Sequence, residues 1–457
     1  MNESLTLAEH ISGANYHSLS AQAIKATKYS ILDTLGVIMA AGSLGEGCRQ
    51  FVNLAEAGGG SAESSIIGFG IKVPSYMAVF ANGSMSHALD FEDTHDIAHV
   101  HPGAAVIPAA LAIAQSLGNV NGKSFITAVA VGIDIVCRLG LALKKDPIEN
   151  GWYMPPILSS FGAAAAAGKL LGLNPQQMLD AFSLNLCQAT CSAEFTYTPR
   201  SIIRAVRDAF AAKAGVLSSL LAARGISGFD HPLEGRAGLF HLYAGEEHDL
   251  SRLTYKVGSL FEGINVSFKP WPSCRGTHYF IEAMLQLVNE HDLKPQDITQ
   301  VKIFLKPNQI NLKLCEPLPI KQRPLTIIDA KFSIPFTVAV AAVKRNVTLE
   351  DFSPEALQSG QVLQISHHTT YHIDKTMSEV EGRIEITSAG KKYSSAVPQY
   401  VYGHPLNAMD QASLIKKFRD CAGYCHQKKS PQQINRLIES ILDLENALDM
   451  EGTAALL

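Results

Sequence analysis

Apolar residues recur at helical spacing through the first half of the chain. Ile24, Ile31, Leu35 and Ile38 share one face of the segment from Ser18 to Ala41, with Ser20 placed to cap it, so the spacing predicts a helix. Asp33 lies among apolar neighbours there and needs a partner if buried. From Gly103 to Leu143 two segments are apolar almost all round, split by Gly118-Asn119-Val120-Asn121-Gly122, which predicts helices covered on most sides. Phe161 to Leu173 is rich in alanine, and its glycines at 162 and 168 allow close helix approach. Asn174-Pro175-Gln176-Gln177 supplies a cap, a proline for the first helical position and a glutamine for the third, so another helix starts there. Arg207 to Ala223 predicts the next, ending at Arg224-Gly225. Gly58-Gly59-Gly60-Ser61 and Ser65-Ile66-Ile67-Gly68 read as a loop, without the spacing or context of a nucleotide-binding fingerprint.

Near residue 265 the texture changes. Val301, Ile303 and Leu305 alternate with polar residues, as do Ile384 and Ile386, and Ser388-Ala389-Gly390-Lys391 suits a hairpin turn before Lys392 to Val397. Helical stretches lie between these strands at Thr277 to Glu290 and Ala330 to Val343, with Pro335 kinking or starting a helix. Leu414 to Phe418 and Ile434 to Leu448 return to helical periodicity. The pattern predicts a mainly α chain with an α+β second domain: a helical domain at 1–264, an α+β domain at 265–400 and C-terminal helices at 401–457.

A chain of 457 residues exceeds one ordinary core, and 47% hydrophobic residues supply large apolar faces, some left for a subunit interface. A homodimer is expected. The formal net charge of −4 gives no electrostatic footprint for nucleic acid or an anionic membrane, so neither is expected as a partner. The eight cysteines form no CxxC, which signals neither a zinc ribbon nor an iron–sulfur cluster; as scattered reduced thiols they fit a cytoplasmic protein. The N-terminal MNESLTLAEHIS lacks the charged and apolar regions of a signal peptide, and the apolar runs are broken by Pro108, Asp134 or Lys169 before they make a membrane span.

Chemistry concentrates between Ala81 and Pro108, where four histidines and four acidic residues sit between apolar flanks although only 18% of the chain is charged. Three uses remain open from the residues alone. His87, Asp93, His95, Asp96 and His99 are ligand types for a divalent metal, as in a metal-dependent hydrolase, although helical spacing cannot bring the whole set to one point. A buried histidine beside a carboxylate is a proton donor or acceptor that works near neutral pH without a metal. The same groups also serve as caps and as partners for one another in a core.

The segment N-G-x-x-x-H-x-L-D-F-E-D-T, followed by H-P-G-A-A-V-I-P, resembles the signature of the MmgE/PrpD family, which includes 2-methylcitrate dehydratase, cis-aconitate decarboxylase and iminodisuccinate epimerase. Phe161 to Leu173, Phe210 to Leu217, Lys269 to His278 and Asp329 to Phe336 resemble further family blocks in the same order. The resemblance implies a large all-helical domain built from both chain ends, with a smaller α+β lid domain inserted. It implies a cofactor-independent lyase acting on a small di- or tricarboxylate, with dehydration of a 2-methylcitrate-like hydroxy acid placed first and decarboxylation or epimerisation as alternatives. It assigns catalysis to Asp90, Thr94, His101 and Lys269, with His101 moving the proton, Asp90 orienting it and Lys269 engaging a carboxylate from the lid. Substrate-binding positions map to Tyr153, Arg204 and Cys274, and here the chain departs from the decarboxylase-like pattern. Tyr153 and Cys274 stand where imidazoles are expected and Arg204 where a lysine is expected, which leaves open a carboxylate-binding member without catalysis. An arginine grips a carboxylate bidentately but cannot serve as a base.

Overall fold

The computed structural model describes residues 2–198, 201–306, 309–377 and 382–457. Two compact units emerge, one from the residues up to Phe268 together with Asp410–Leu457 and one from Lys269–Met409. Among the described residues 58% are helical and 9% are in strands, a mainly α fold with a small α+β part.

The first unit is a stack of helices whose ends follow local chemistry. Ala21–Leu44 starts where the Ser20 side chain accepts from Ala23 N, and Gly122–Leu141 starts where Asn121 does the same for Ser124 N. Pro175–Leu186 opens with a reciprocal capping box between Asn174 and Gln177. Pro102–Leu117, Gly122–Leu141, Met154–Leu170 and Asp208–Ala223 form the interior and cross at glycines. A Cβ on Gly162 would lie 2.2 Å from Val136, and one on Gly215 2.5 Å from the Ser160 carbonyl, so neither crossing admits a side chain. Gly122–Leu141 has the length and hydropathy of a membrane span, yet 89% of that window is buried inside the unit. The C-terminal helix Gln411–Ala422 packs on Ala21–Leu44, where Phe418 covers Gly36.

The sequence reading of this part as all-helical needs one correction. Ser64–Ile66 and Ile71–Val73 form an antiparallel hairpin where a loop was expected. Three residues per strand are too few to show a two-residue period, and the turn relies on Gly68 and Gly70, whose φ values are +77° and +67°.

In the second unit, the strand Ile298–Leu305 pairs parallel with Thr369–Ile373 and antiparallel with Gly382–Ser388, which pairs with Lys391–Ala396. Val301, Ile303, Leu305, Ile384 and Ile386 point into a core shared with Phe280, Met284 and Leu287 of the helix Arg275–Glu290 and with Ile334–Lys344. The helix expected over Ala330 to Val343 is two. Ile327–Lys331 stops, Ser333 caps the next helix by accepting from Phe336 N, and Pro335 sits in its first turn. His367, His368 and His372 are exposed, as the polar pattern suggests.

Candidate active site

The helix Ser75–Ser86 ends at His87, and the chain turns back through Asp90, which adopts the left-handed region at φ +51°. Aspartate tolerates that region better than most residues. The turn returns Glu92 to His87, whose Nδ1 makes a very short contact with Glu92 Oε1. Five residues along a helix would separate the two groups; the reversal joins them. The chain then bridges to Ser267 through paired Thr94 backbone hydrogen bonds of 2.9 and 2.7 Å and reaches His101, at the N-cap position of Pro102–Leu117. His101 Nδ1 lies 3.1 Å from Glu92 Oε1 and 3.0 Å from the Asp93 carbonyl oxygen. The two imidazole rings are 4.9 Å apart, so one buried carboxylate serves both histidines.

These contacts set the tautomer. A carboxylate and a carbonyl only accept, so the proton of a neutral His101 belongs on Nδ1, which leaves a lone pair on Nε2. His87 is held well below the usual imidazole range, first by burial and then by Arg207, so it stays neutral. Asp93 is pushed up to about 7 by burial and by Asp33, while its Oδ1 accepts from Gly103 N at 2.9 Å in the first turn of the helix beyond. A Cβ on Gly103 would come within 2.9 Å of both Asp93 oxygens, so the glycine permits this cap.

A second group of side chains adjoins the histidines. Tyr153 occupies the N-cap position of Met154–Leu170, and its phenol oxygen accepts from Arg204 at 2.6 Å. Arg204 Nη2 lies 3.7 Å from Asp90 Oδ2, and the Arg207 guanidinium stands 4.9 Å from the Tyr153 ring centroid. Arg207 occupies the N-cap position of Asp208–Ala223. His101, Tyr153 and Arg207 therefore each stand at the N-terminus of a long interior helix, the end that favours an anion. A cavity of about 1000 Å³ has Arg207, Cys191, Phe195, Ile202 and Phe210 on its wall. Neither His87 nor His101 lines it.

With this geometry in place, comparison with known proteins is decisive about kinship: residues 5–250 match the MmgE/PrpD N-terminal domain and residues 271–444 the MmgE/PrpD C-terminal domain. The chain belongs to the MmgE/PrpD family. It is 27% identical over 417 residues to a cis-aconitate decarboxylase-like protein of Aspergillus oryzae, covering 86% of this chain and 84% of the relative. It is 25% identical over 399 residues to a cis-aconitate decarboxylase of Aspergillus terreus, covering 82% and 80% of the two chains. With the human cis-aconitate decarboxylase it shares 25% identity over 462 residues, covering 98% and 92%.

For this MmgE/PrpD chain, the residues expected at the site are distributed as follows. Asp90, Thr94, His101, Tyr153 and Arg204 belong to the helical unit; Lys269 and Cys274 belong to the second. His101 Nδ1 meets Glu92, and Asp90, at φ +51°, has its Oδ2 3.7 Å from Arg204 Nη2. Thr94 Oγ1 donates to the Val100 carbonyl at 3.2 Å and so closes the loop. Lys269 is fully buried, whereas a surface lysine would be solvated. Cys274 is half-buried and precedes the helix Arg275–Glu290.

The metal-hydrolase set does not assemble. Asp93 caps a helix, His95 accepts from Ala98 N and faces Glu262, Asp96 accepts from Ser267 Oγ, and His99 is exposed. The one metal-type grouping among the described residues is His87, Glu92 and His101, whose ligand atoms are already in hydrogen-bond contact. Glu92 is the residue the sequence reading missed. Its signal was position: it is the acid between two others in D-F-E-D-T, on the opposite side of the turn from Asp90.

Proposed function

We propose that the chain is a cofactor-independent lyase that moves a proton at a carbon next to a carboxylate in a small di- or tricarboxylate. The observation that carries this reading is His101, with Nδ1 held between Glu92 and the Asp93 carbonyl in a buried turn. His101 Nε2 takes the proton from substrate carbon, and Glu92 balances the imidazolium that forms. Arg204 and Arg207 supply positive charge to substrate carboxylates, with three helix N-termini adding to it. Lys269, in the second unit, is the residue to which the family motif assigns a substrate carboxylate.

Dehydration of a 2-methylcitrate-like hydroxy acid is the favoured reaction. The C–H bond gives its proton to His101, the C–O bond breaks, and the departing hydroxide takes a proton and leaves as water. The departures at Tyr153 and Cys274 favour this over decarboxylation, since the imidazoles of decarboxylase-like members are replaced by a phenol and a thiol. Decarboxylation is the second reading, supported by the names of the relatives; there His101 returns a proton to the carbanion left by CO2.

Incubating the purified protein with a panel of di- and tricarboxylates in D2O, followed by proton NMR, tests the proposal. Water loss, CO2 loss and inversion without mass change give different products, and solvent deuterium should enter at the reacting carbon. Absence of both turnover and exchange across the panel, with ligand-induced thermal stabilisation retained, would replace the lyase with a carboxylate-binding protein.

A further inference from the structure

The sequence around the catalytic turn gives no hint that a residue from the far end of the chain reaches it. Lys417, in the C-terminal helix Gln411–Ala422, is buried, and its ammonium lies 2.6 Å from Asp33 Oδ1 and donates to the Phe91 carbonyl at 2.6 Å. The same nitrogen stands 4.0 Å from the Phe91 ring centroid. Phe91 immediately precedes Glu92, and its own N–H donates to Glu92 Oε2 at 3.1 Å. A buried ammonium is costly unless fully engaged, and an apolar side chain of similar volume is often tolerated as well or better. The charge is thus informative in a way that packing alone is not.

We propose that Lys417 is a positioning residue of the proton-transfer site. It fixes the Phe91 carbonyl, so that Glu92 is presented to both histidines, and it neutralises Asp33, so that negative charge behind the turn stays balanced. Glu92 and His87 both face His101. Behind the turn, Asp93 is faced by Asp33 from Ala21–Leu44, by Glu92 and by Cys137 from Gly122–Leu141. Arg204, Arg207, Asp90 and Asp208 act on His87 from the other side. Removing the lysine leaves surplus negative charge near His101, which favours the imidazolium. The low-pH limb of the kcat/KM profile, where His101 must lose its proton to act as a base, then moves to higher pH.

This inference rests on His101 as the proton-transfer group, and one readout is independent of turnover. Lys417→Met, Lys417→Arg and the double variant Lys417→Met/Asp33→Asn are compared by substrate-free NMR of the histidine Nδ1–H signals and by the pH profile of turnover. Lys417→Met should shift the His101 signal, lower kcat by about tenfold and move the low-pH limb up by about half a unit or more. Lys417→Arg should stay near wild type. The double variant should return the limb towards wild type, since it restores charge balance, while kcat stays low because Phe91 is still unheld. If Lys417→Met keeps both the wild-type limb and the wild-type His101 signal, Lys417 only supports the fold and the proposal is wrong, whatever the Tm. If Lys417→Met does not fold, the double variant decides: wild-type kcat there overturns the positioning role. A shifted His101 signal with unaltered turnover would instead count against the proposed function, because the turn would be perturbed without affecting the reaction.

Discussion

Two halves of one polar stretch behave differently. From His87 to Asp93, with His101 closing the loop, the side chains converge on a single buried carboxylate. From His95 to His99, residues of the same types hold the chain in shape: His95 accepts from Ala98 N, Asp96 accepts from Ser267, and His99 faces outward at φ +53°. Both halves offer imidazoles and carboxylates at similar spacing. The difference is what each imidazole nitrogen meets. His95 Nδ1 accepts a hydrogen bond from the Ala98 N–H, whereas His101 Nδ1 donates towards Glu92 and the Asp93 carbonyl, which leaves a lone pair on its Nε2.

Substitutions can break this contrast or sharpen it. The largest effect is expected from His101→Ala, which should lower kcat by roughly a hundred- to ten-thousand-fold while ligand-induced stabilisation persists; near-normal turnover on a confirmed substrate would move catalysis elsewhere. Glu92→Gln removes the charge but keeps the shape, and a loss of about a hundredfold in kcat is expected from an unsupported imidazolium. Arg204→Lys keeps a charge and loses the bidentate fork, so KM should rise by about tenfold with kcat less affected. A change confined to kcat would place Arg204 in the chemistry rather than in binding.

A smaller effect concerns stability. The folded state raises the affinity of Asp93 for its proton, so the protonated form is favoured in the fold, and stability should fall as pH rises from the ordinary carboxylate range through about 7. Asp93→Asn keeps an acceptor for Gly103 N but cannot ionise, so its Tm should decline less between pH 6 and 8 than that of the wild type. Equal slopes for the two proteins would show that Asp93 does not titrate there. The smallest effects are expected in the other half of the stretch. His95→Ala should cost about 1–2 kcal/mol of stability through the lost Ala98 hydrogen bond, and His99→Ala under about 0.5 kcal/mol, both with kcat unchanged. A large kcat loss from either would erase the distinction between the halves.

Much of the fold was legible because its signals are local. Ser20, Asn174 with Pro175, and the alternation at Val301, Ile303 and Leu305 each fix an element through chemistry within a few residues. The Ser64–Ile66 hairpin was not legible, because its strands are too short to carry a period. At the site, the choice between Asp90 and Glu92 depended on one left-handed residue, and a sequence states which residues tolerate φ above zero without stating which one adopts it. Lys417 was beyond reach for another reason. Its partners Asp33 and Phe91 lie hundreds of residues earlier, and only the packing of Gln411–Ala422 on Ala21–Leu44 joins them.

The two seams of the helical unit lend themselves to another use. The chain leaves that unit just after Ser267, which is bridged to Thr94, and returns by the helix whose Lys417 holds Phe91. Thr94 and Phe91 are three residues apart, at most about 11 Å along the chain, and Lys417 lies about 10 Å along its helix from the point of return. Both crossing points of the chain are therefore tied to one short turn, as expected where one segment is inserted into another. A chain shortened by residues 269–409 would keep both fasteners of the turn that carries Glu92, but it would lose Lys269, the residue to which the family motif assigns a substrate carboxylate.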